Sequence, residues 1–327
     1  MKSFSIIIVN YNTQSLILNC LRSIYQQDEY VDEVIVVDNH STDGSQEAIR
    51  REFATVKLIE NSRNEGYARA VNKGLIRCRG KLVLILNSDV ELRPDALKNS
   101  VDFMQRHPDA GIAGCKLLNP DGSLQPSCEG FPSLWNVTCE SFFLDRLFPR
   151  SRLFDGLSMK HFSYDRVAKV DRVIGAFLLV NRQALEDVGL MDEQFFFYSE
   201  EVDWCYRARR KCWAVYFFPH AEVIHHWGGS ADMVSPALFV ERHKNRYMFY
   251  RKYHAFWPSL AMRGIAAVGI LLRLIAWSAI ALYQRLRRHA SQAVSLKKVL
   301  AYLATFRWYV GLWPARAHRS ALGDEME

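Results

Sequence analysis

Short apolar runs alternate with segments of helical periodicity through the first third of the chain. The apolar runs predict four strands, at residues 5–9, 34–37, 56–59 and 82–86. Apolar spacings of three and four predict helices at residues 14–26, 45–53 and 67–77, and one more that begins at Pro94 and ends before Pro108. This alternation is typical of an α/β protein with a mostly parallel central sheet, in which ligands bind beyond the carboxyl ends of the strands.

The rest of the chain is less regular. Residues 131–162 are rich in aromatic side chains and predict an insert of loops and helices, before apolar runs resume at residues 170–180 and 213–218. Residues 264–283 are apolar apart from Arg273, and residues 299–313 form a shorter apolar segment with Arg307. The longer segment could just span a bilayer. Its central arginine opposes insertion by about 2.5–3.5 kcal/mol, which nearly cancels the gain from its aliphatic side chains.

Charge is distributed unevenly along the 327 residues. The chain holds 42 Lys and Arg against 35 Asp and Glu, yet no acidic residue lies between Glu241 and Asp324. That interval contains 15 of the basic residues, which leaves 27 basic against 35 acidic residues elsewhere. The break predicts an acidic body at residues 1–240 and a basic helical extension at residues 241–327.

Cysteine usage and the amino terminus both indicate a cytoplasmic location. The seven cysteines are odd in number and show no Cys-x-x-Cys spacing, which favours reduced thiols over a disulfide framework or a zinc site. The amino terminus leads directly into the first predicted strand, and its apolar run is too short for the hydrophobic region of a signal peptide.

Polar side chains follow several predicted strands. Asn10, Asp38 and Asp89 each come just after an apolar run, so they should converge on one rim of the sheet. Asp38 opens the segment DNHSTDGS, where a carboxylate can accept the imide proton of a uracil or thymine ring, or bind a ribose hydroxyl. The same segment also fits a polar surface turn with a helix cap at Ser41 or Asp43.

Two more segments could contribute to the same rim. Asn87-Ser88-Asp89 ends a buried strand, and a carboxylate there suits a hard divalent cation that bridges a diphosphate. Capping of a turn by Asp89 is the alternative. Gly66 precedes a predicted helix, where glycine permits close approach of the backbone and the first amides suit a phosphate.

The second half of the chain supplies acidic residues at a helix start. Ser199 is a potential N-cap, Glu200 and Glu201 follow in the first turn, and Asp203 can pair with Arg207 four residues later. Acidic residues in a first helical turn are also common without a catalytic role.

Two histidines lie in the segment VIHHWGGS, at the end of an apolar run. A neutral imidazole at His225 can complete a metal site begun by Asp89. A structural histidine is the alternative, because no acidic residue lies nearby in the sequence.

In order and spacing these segments resemble the motifs of glycosyltransferase family 2, and within it the bacterial rhamnosyltransferase-like branch. The motifs are VNYN, VVDNHSTDGS, NEGYARAVNKG, LILNSDVEL, IGAFLLVNR, MDEQFFFYSEEVDWCYRAR and VIHHWGGS, across roughly residues 4–255. The resemblance implies a GT-A fold. Residues 1–240 would form its catalytic domain, with a nucleotide-binding half at 1–115 and an acceptor-binding half at 116–240.

The resemblance also assigns roles to individual residues. Asp38 matches the residue that contacts the pyrimidine base. Asp89 matches the second acid of the family's Asp-x-Asp metal motif, whose first acid is replaced by Asn87. The family's Glu-Asp pair falls on Glu200-Glu201, which makes Glu201 the predicted general base and Glu200 its competitor.

The remaining expected site residues follow from the same motifs. His225, or else His226, is the second expected ligand for Mg²⁺ or Mn²⁺, and Asp203 is a third catalytic acid. Gly175 and Ala176 are expected to line the floor under the donor sugar. The other expected donor-binding residues are Asn10, Tyr11, Asn12, Asn39, Ser41, Asn64, Gly66, Asn72, Asn87 and Ser88.

The activity implied by this resemblance is the inverting, metal-dependent transfer of a sugar from a nucleotide diphosphate to a cell-envelope polysaccharide or lipid-diphosphate-linked glycan. Rhamnose from dTDP-rhamnose is the first candidate donor, and UDP-linked sugars are alternatives. A sugar-phosphate nucleotidyltransferase is disfavoured, because residues 10–13 replace the expected glycine-rich basic loop. The intact acids disfavour a non-catalytic glycan- or lipid-binding scaffold.

The basic extension predicts a location at a membrane. We expect its helices to lie on the anionic cytoplasmic face of the inner membrane as a peripheral attachment. A soluble helical subdomain and a spanning helix are the alternatives. No nucleic acid is expected as a partner.

Overall fold

The computed structural model describes residues 3–149, 151–155, 157–159, 161–226, 235–287 and 292–312. They belong to two compact units. The first comprises Met1–Phe131 and Phe162–Ser230, and the second comprises Pro132–His161 and Ala231–Glu327. This division differs from the boundary predicted at residue 240, because the insert at residues 132–161 packs with the carboxyl-terminal helices.

The strands of the first unit form one ten-stranded sheet and one small sheet. The strands are β1 (Phe4–Asn10), β2 (Val31–Asp38), β3 (Lys57–Glu60), β4 (Leu82–Asn87), β5 (Val90–Leu92), β6 (Ala110–Leu118), β7 (Leu124–Gln125), β8 (Cys128–Glu129), β9 (Ala168–Lys169), β10 (Arg172–Val173), β11 (Phe177–Asn181) and β12 (Ala214–His225). The large sheet has the order β3-β2-β1-β4-β11-β6-β12-β5, with β7 paired to β6 and β9 to β12. β8 and β10 pair separately.

The helices divide between the two units. The first unit contains α1 (Gln14–Tyr25), α2 (Ser45–Glu52), α3 (Tyr67–Leu75), α4 (Ala96–Arg106), α7 (Arg182–Val188), α8 (Glu200–Arg210) and a 3₁₀ turn at Asp28–Tyr30. The second unit contains α5 (Leu134–Ser141), α6 (Leu144–Leu147), α9 (Pro236–Tyr253), α10 (Phe256–Leu286) and α11 (Gln292–Tyr309). The strands and helices predicted in the first third of the chain are confirmed to within a few residues.

The parallel half of the sheet creates the predicted rim. β1 lies between β2 and β4 and runs parallel to both. This register places Asn10 opposite Asp38 and Val9 opposite Asn87. Because parallel neighbours end at the same edge, the polar residues at these three strand ends come together.

Beyond β4 the sheet is mixed. β11 runs antiparallel to both β4 and β6, whereas β12 runs parallel to β6 and antiparallel to β5. The α/β class is therefore confirmed, and the parallel arrangement holds for β3, β2, β1 and β4. An apolar run alone does not reveal strand direction, which explains the difference.

Alternate side chains of β1 build the core on the two faces of the sheet. Phe4, Ile6 and Ile8 belong to a core cluster with apolar residues of α1, α2 and α4. Ile7 points to the other face, where a Cβ at Gly74 of α3 would come within 2.6 Å of it. Glycine at that position lets α3 lie close to the sheet.

The second unit has a core of its own. Its buried members join α5, α9, α10 and α11 and are Val137, Tyr250, Met262, Ala266, Ile270 and Tyr309. Among the described helices α10 alone is long and apolar enough to cross a membrane, with a mean hydropathy of 2.2 and 17% of its most apolar window buried. It contains the predicted apolar segment at residues 264–283.

One glycine of the first unit provides a stability test. Gly66 has φ 87°, and a Cβ there would lie 2.6 Å from the carbonyl oxygen of Phe196. Gly66→Ala should lower the free energy of unfolding by about 3 kcal/mol, because left-handed strain and a steric clash add together. Urea denaturation measures the loss.

Gly122→Ala is the matched control for this substitution. Gly122 has φ 82°, but nothing lies within 4 Å of its Cβ position. It should therefore lose only about 1 kcal/mol through backbone strain. Equal losses in the two variants would show that the contact with Phe196 has no energetic consequence.

Candidate functional site

Asp38 is fully buried and accepts four hydrogen bonds at the end of β2. Its Oδ1 accepts from the Ser41 amide at 2.9 Å and from Gln46 Nε2 at 2.6 Å. Its Oδ2 accepts from Asn10 Nδ2 at 2.8 Å and from the Ser41 hydroxyl at 2.6 Å. Four donors use the acceptor capacity of a carboxylate. Asp38 therefore organises the loop after β2, and it can contact a base only by exchanging one of these partners.

The first loop of the rim is tied to the same group. The Asn12 amide donates to the Ser41 hydroxyl at 3.0 Å, and Asn12 Oδ1 accepts from the Thr42 amide at 2.7 Å. Asn12 adopts φ 50°, a left-handed conformation that asparagine tolerates better than most residues. Tyr11, beside it, is half-buried. The structure thus brings Asn10, Asn12, Asp38 and Ser41 together, as expected.

Asn39 and Asn64 form a second polar group before α3. Asn39 Nδ2 donates to Asn64 Oδ1 at 2.7 Å, and Asn64 Oδ1 also accepts from the Gly66 amide at 3.0 Å. Asn64 Nδ2 is buried and has no hydrogen-bond partner among the described residues. A buried donor without an acceptor is costly unless a ligand supplies one, which fits the expected donor-binding role of Asn64.

Asn72 has a positioning role in this structure. It exchanges two hydrogen bonds of 2.9 Å with the backbone of Met191, donating to the carbonyl and accepting from the amide. Its Nδ2 also donates to Glu193 Oε1 at 3.1 Å. Asn72 is almost fully buried. These contacts fix the segment that leads to α8, so its expected direct contact with the donor is not supported by the geometry.

Asp89 and His225 form the candidate metal centre, and both are buried. His225 Nε2 lies 3.3 Å from Asp89 Oδ1. On the other side of the ring, His225 Nδ1 lies 2.6 Å from Gln125 Oε1, an acceptor that requires a proton on Nδ1. In the neutral ring this leaves the lone pair of Nε2 facing a carboxylate oxygen. Two acceptors that face each other suit a cation between them.

Gln125 fixes the orientation of His225. Its Nε2 donates to Asn119 Oδ1 at 2.9 Å, which sets the direction of its amide. Gln125 lies in the short strand β7, outside the recognised motifs, so no motif predicts this role. An amide that holds a ligand histidine is a common outer-shell arrangement.

Asn87 and His226 have other partners than a metal. Asn87 Oδ1 accepts a hydrogen bond of 3.1 Å from the Tyr67 hydroxyl. His226 Nε2 lies 2.8 Å from Glu91 Oε1. Ser88 accepts from the Thr13 hydroxyl at 2.8 Å. The geometry therefore favours His225 over His226 as the ligand and leaves Asp89 as the carboxylate.

Two protein ligands are fewer than a self-contained metal site uses. No group of three or more His, Cys, Asp or Glu side chains able to hold a metal occurs among the described residues. A divalent cation that is bound together with a diphosphate needs only one or two protein side chains, because phosphate oxygens and waters complete the coordination. Asp89 and His225 fit a cation of that kind. Residues 227–230 of the histidine motif lie outside the described residues.

The expected catalytic acids follow a strained turn. Tyr198 and Ser199 adopt φ 73° and 72°, so two consecutive non-glycine residues have left-handed conformations. Such strain persists only where the surrounding structure imposes it. Ser199 occupies the N-cap position of α8, as predicted, and its carbonyl accepts from the Asp203 amide at 3.0 Å, but its side chain makes no capping hydrogen bond. The turn directs Glu200 and Glu201 into the first turn of α8, where the helix dipole stabilises carboxylates.

Arg172 holds Glu201 in place. Its Nη1 donates to Glu201 Oε1 at 3.1 Å, and its Nη2 donates to Glu129. Arg172 and Glu129 face each other across the β8–β10 pair. Among the described residues Glu201 Oε2 has no hydrogen-bond partner, and 12% of the side chain is exposed. Arg172 lies in the largely apolar segment VDRVIGA, whose pattern does not predict an ion pair with Glu201.

Asp203 also lies in the first turn of α8 and is fully buried. Its Oδ2 accepts from Arg207 Nε at 2.8 Å, which is the predicted pair. Arg207 in turn donates to the carbonyls of Val188 and Leu190, each at 2.7 Å. Asp203 therefore anchors α8 to the preceding loop. The geometry supports a positioning role and not the expected catalytic one.

The Tyr67 hydroxyl is affected by the charges of both the candidate metal centre and the expected catalytic acids. Burial raises the pKa of its hydroxyl well above 10, and the charges of Glu200, Glu201 and Asp89 raise it further. The three carboxylates therefore lie close enough to one buried hydroxyl to affect its ionisation. Tyr67 belongs to the motif NEGYARAVNKG, but the sequence pattern does not predict this role for it.

Gly175 and Ala176 precede β11 beside this group. The Ala176 carbonyl accepts from the Asn87 amide at 3.2 Å, which places the segment next to the end of β4. Nothing lies within 4 Å of the position that a Cβ at Gly175 would take. The open space at Gly175 agrees with the expected floor under a donor sugar.

The comparisons with known proteins agree with this geometry. Residues 5–128 match the family model described as glycosyl transferase family 2. The N-acetylglucosaminyl-diphospho-decaprenol L-rhamnosyltransferase of Mycobacterium tuberculosis is 28% identical, over 82% of this chain and 90% of its own length. The dTDP-rhamnosyl transferase RfbF of Shigella flexneri is 24% identical, over 76% of this chain and 80% of its own length.

A solved structure shows the same fold. The mannosyltransferase PcManGT from Pyrobaculum calidifontis, in complex with GDP-Man and Mn²⁺, is similar with a TM-score of 0.56 at 19% identity, over 93% of this chain and 87% of that chain. The curated relatives place the chain near rhamnosyltransferases and favour sugar transfer over the nucleotidyltransferase and scaffold alternatives. Residues 5–128 therefore match glycosyl transferase family 2. The chain has a GT-A fold, and with its rhamnosyltransferase relatives it is a glycosyltransferase.

Proposed function

We propose that the protein is an inverting, divalent-metal-dependent transferase that moves a sugar from a nucleotide diphosphate to a lipid-diphosphate-linked glycan of the cell envelope. The observation that carries this proposal is the buried Asp89–His225 pair, whose Oδ1 and Nε2 atoms lie 3.3 Å apart, together with the buried carboxylates of Glu200 and Glu201 at the start of α8. One carboxylate with an imidazole suits a metal–diphosphate, and a separate carboxylate suits proton transfer.

Asp89 and His225 are the proposed ligands of Mg²⁺ or Mn²⁺. When bound, the cation offsets the negative charge on the departing nucleotide diphosphate. Gln125 keeps the Nε2 atom of His225 directed towards Asp89, so the chain presents both ligand atoms in one orientation. The Asn64 amide supplies a further donor for the nucleotide sugar.

Glu201 is the proposed general base. Arg172 holds its Oε1 atom, which leaves Oε2 to accept a hydrogen bond from an acceptor hydroxyl. As the hydroxyl oxygen attacks the anomeric carbon, its proton passes to Oε2. Attack from the face opposite the diphosphate is a single displacement, so the configuration at the anomeric carbon inverts.

The first donor to test is dTDP-rhamnose, with UDP-linked sugars next. This order rests on the names of the two rhamnosyltransferase relatives. Asp38 would read the imide proton of thymine or uracil after Gln46, which is half-exposed, turns away from Oδ1. One relative acts on a diphospho-decaprenol, and an acceptor of that class supports a location on the cytoplasmic face of the inner membrane.

The metal requirement has a direct test. Asp89→Ala should abolish transfer and weaken donor binding, because it removes the carboxylate ligand. Asn87→Ala is the matched control at the same strand end, and it should keep the metal requirement because Asn87 already accepts from Tyr67. Sugar transfer is measured after EDTA treatment and again with added Mn²⁺ or Mg²⁺. Full activity in excess EDTA contradicts the proposal.

The identity of the base is tested by two neighbouring substitutions. Glu201→Gln keeps the shape of the side chain and removes its basicity, so turnover should fall by roughly a hundredfold or more while donor affinity holds. Glu200→Gln, one residue earlier, should be much less affected. Single-turnover transfer and donor titration measure the two quantities. An inactive Glu200→Gln beside an active Glu201→Gln would move the assignment to Glu200.

Nucleotide selectivity tests the role of Asp38. Uridine and thymidine diphosphates should inhibit far better than guanosine and cytidine diphosphates, because only the first two offer an imide proton. Gln46→Ala should keep this preference, since it frees Oδ1 without altering the carboxylate. The measurement is the inhibition constant of each of the four nucleotides. Four similar values would argue against recognition of the base by Asp38.

A further inference from the structure

One face of α10 is apolar and exposed. The buried residues of this helix recur every three or four positions and form the stripe Ser259, Met262, Ala266, Gly269 and Ile270. The large apolar side chains that remain exposed between them and beyond are Val268, Leu271, Leu272, Ile275, Ile280 and Leu282. The helix therefore packs within the second unit along one side only.

The charged residue in the middle of α10 points away from this exposed face. Arg273 donates from Nη1 to the Ser141 carbonyl at 3.1 Å and from Nη2 to the Glu140 carbonyl, both at the end of α5. Its guanidinium lies 4.3 Å from the centre of the Phe143 ring. A cation is stabilised at a helix carboxyl end and over an aromatic face. Arg273, whose charge disfavours burial of α10 in an apolar medium, is therefore bound by the insert.

A second arginine of α10, Arg263, is bound in the same way. Arg263 donates from Nε to the Tyr309 carbonyl at 2.7 Å, at the end of α11. Each of these arginines thus caps the end of a neighbouring helix. The outer face of α10 between them presents aliphatic side chains.

The insert adds its own apolar side chains to this surface. A Cβ at Gly269 would lie 2.6 Å from Ser141 Cβ, so α5 and α10 are in close contact. The insert itself exposes the apolar side chains of Trp135, Phe142, Leu147, Phe148 and Leu153. We call the outer face of α10 together with these five residues the composite surface.

Basic residues border the composite surface. The interval between Glu241 and Asp324 has no acidic residue, and its exposed cations include Arg285, Arg287 and Lys297. Lys298 is half-buried, and its Nζ lies 4.0 Å from the centre of the Trp277 ring in α10. Apolar side chains edged by lysine and arginine are the pattern that anionic lipid surfaces bind.

We infer that the second unit binds an anionic lipid bilayer through the composite surface, with α10 parallel to the membrane plane and the insert embedded beside it. A parallel orientation follows because α9 and α11 pack against the other side of α10, and Arg246 of α9 is paired with Glu140 at the end of α5. Placing α10 across a bilayer would bring this pair into the hydrocarbon region. The inference concerns attachment alone and stands apart from the proposed donor and acceptor.

The experiment uses the full chain and vesicles, without donor or acceptor. Sedimentation with vesicles of phosphatidylcholine and phosphatidylglycerol should show strong binding, and pure phosphatidylcholine should show much less. Leu147→Ser, in the insert, should weaken binding about tenfold. Ile76→Ser is the matched control, because Ile76 in the first unit and Leu147 are both 68% exposed. It should bind as the unaltered chain does.

A second variant distinguishes a parallel from a spanning helix. Removing the charge of a spanning helix improves its insertion, so Arg273→Leu would then strengthen attachment and resist carbonate extraction. In the inferred arrangement Arg273→Leu releases the insert from α10 and weakens vesicle binding, whereas Arg273→Lys retains part of it. Circular dichroism and nucleotide binding confirm that each variant is folded.

Three results would overturn the inference. The first is vesicle binding by Leu147→Ser equal to that of the Ile76→Ser control. The second is stronger attachment of Arg273→Leu. The third is a dimer in the absence of lipid that Leu147→Ser dissociates, since the surface would then be covered by a second copy of the chain. Failure of sugar transfer with intact vesicle binding concerns only the proposed function.

Discussion

The close approach of Gly66 to the carbonyl of Phe196 is the constraint on which the rest of the site depends. No side chain fits between the two, and the Tyr67 amide donates to the same carbonyl at 2.7 Å. This contact ties the start of α3 to the strained turn before α8. Since α3 follows the loops after β2 and β3 and α8 begins with the proposed catalytic acids, the two parts of the site have a fixed separation. Asn72 reinforces the tie through the Met191 backbone.

The elements that carry the site could be predicted from the sequence because their signals are local. An apolar run followed by a polar residue marks a strand end, and four parallel strands bring such ends to one edge. Asn10 and Asp38 therefore lie opposite each other in the sheet, as expected. The antiparallel β11 and the return of the insert to the carboxyl-terminal helices depend on contacts between distant segments. No local pattern of residues encodes those contacts.

The same limit applies to individual roles. Asp203 and Asn72 belong to the recognised motifs, yet the polar atoms of each side chain form hydrogen bonds that hold a neighbouring loop. Arg172 and Gln125 lie outside the acidic and histidine motifs, and each orients a neighbour that belongs to one. A motif shows which residues share a site. Which of them face a ligand follows only from the direction of each side chain, and that direction is set by partners remote in sequence.

The discontinuity of the second unit has a consequence for synthesis of the chain. The insert at residues 132–161 leaves the ribosome before α9, α10 and α11, which supply the rest of its core. Until those helices are made, Val137 lacks the apolar neighbours that α9, α10 and α11 supply, and exposed surface of this kind favours aggregation. A chain that stops after the first unit would keep the insert and lose its partners. Soluble expression of the catalytic unit alone therefore requires removal of the insert as well as the carboxyl-terminal helices.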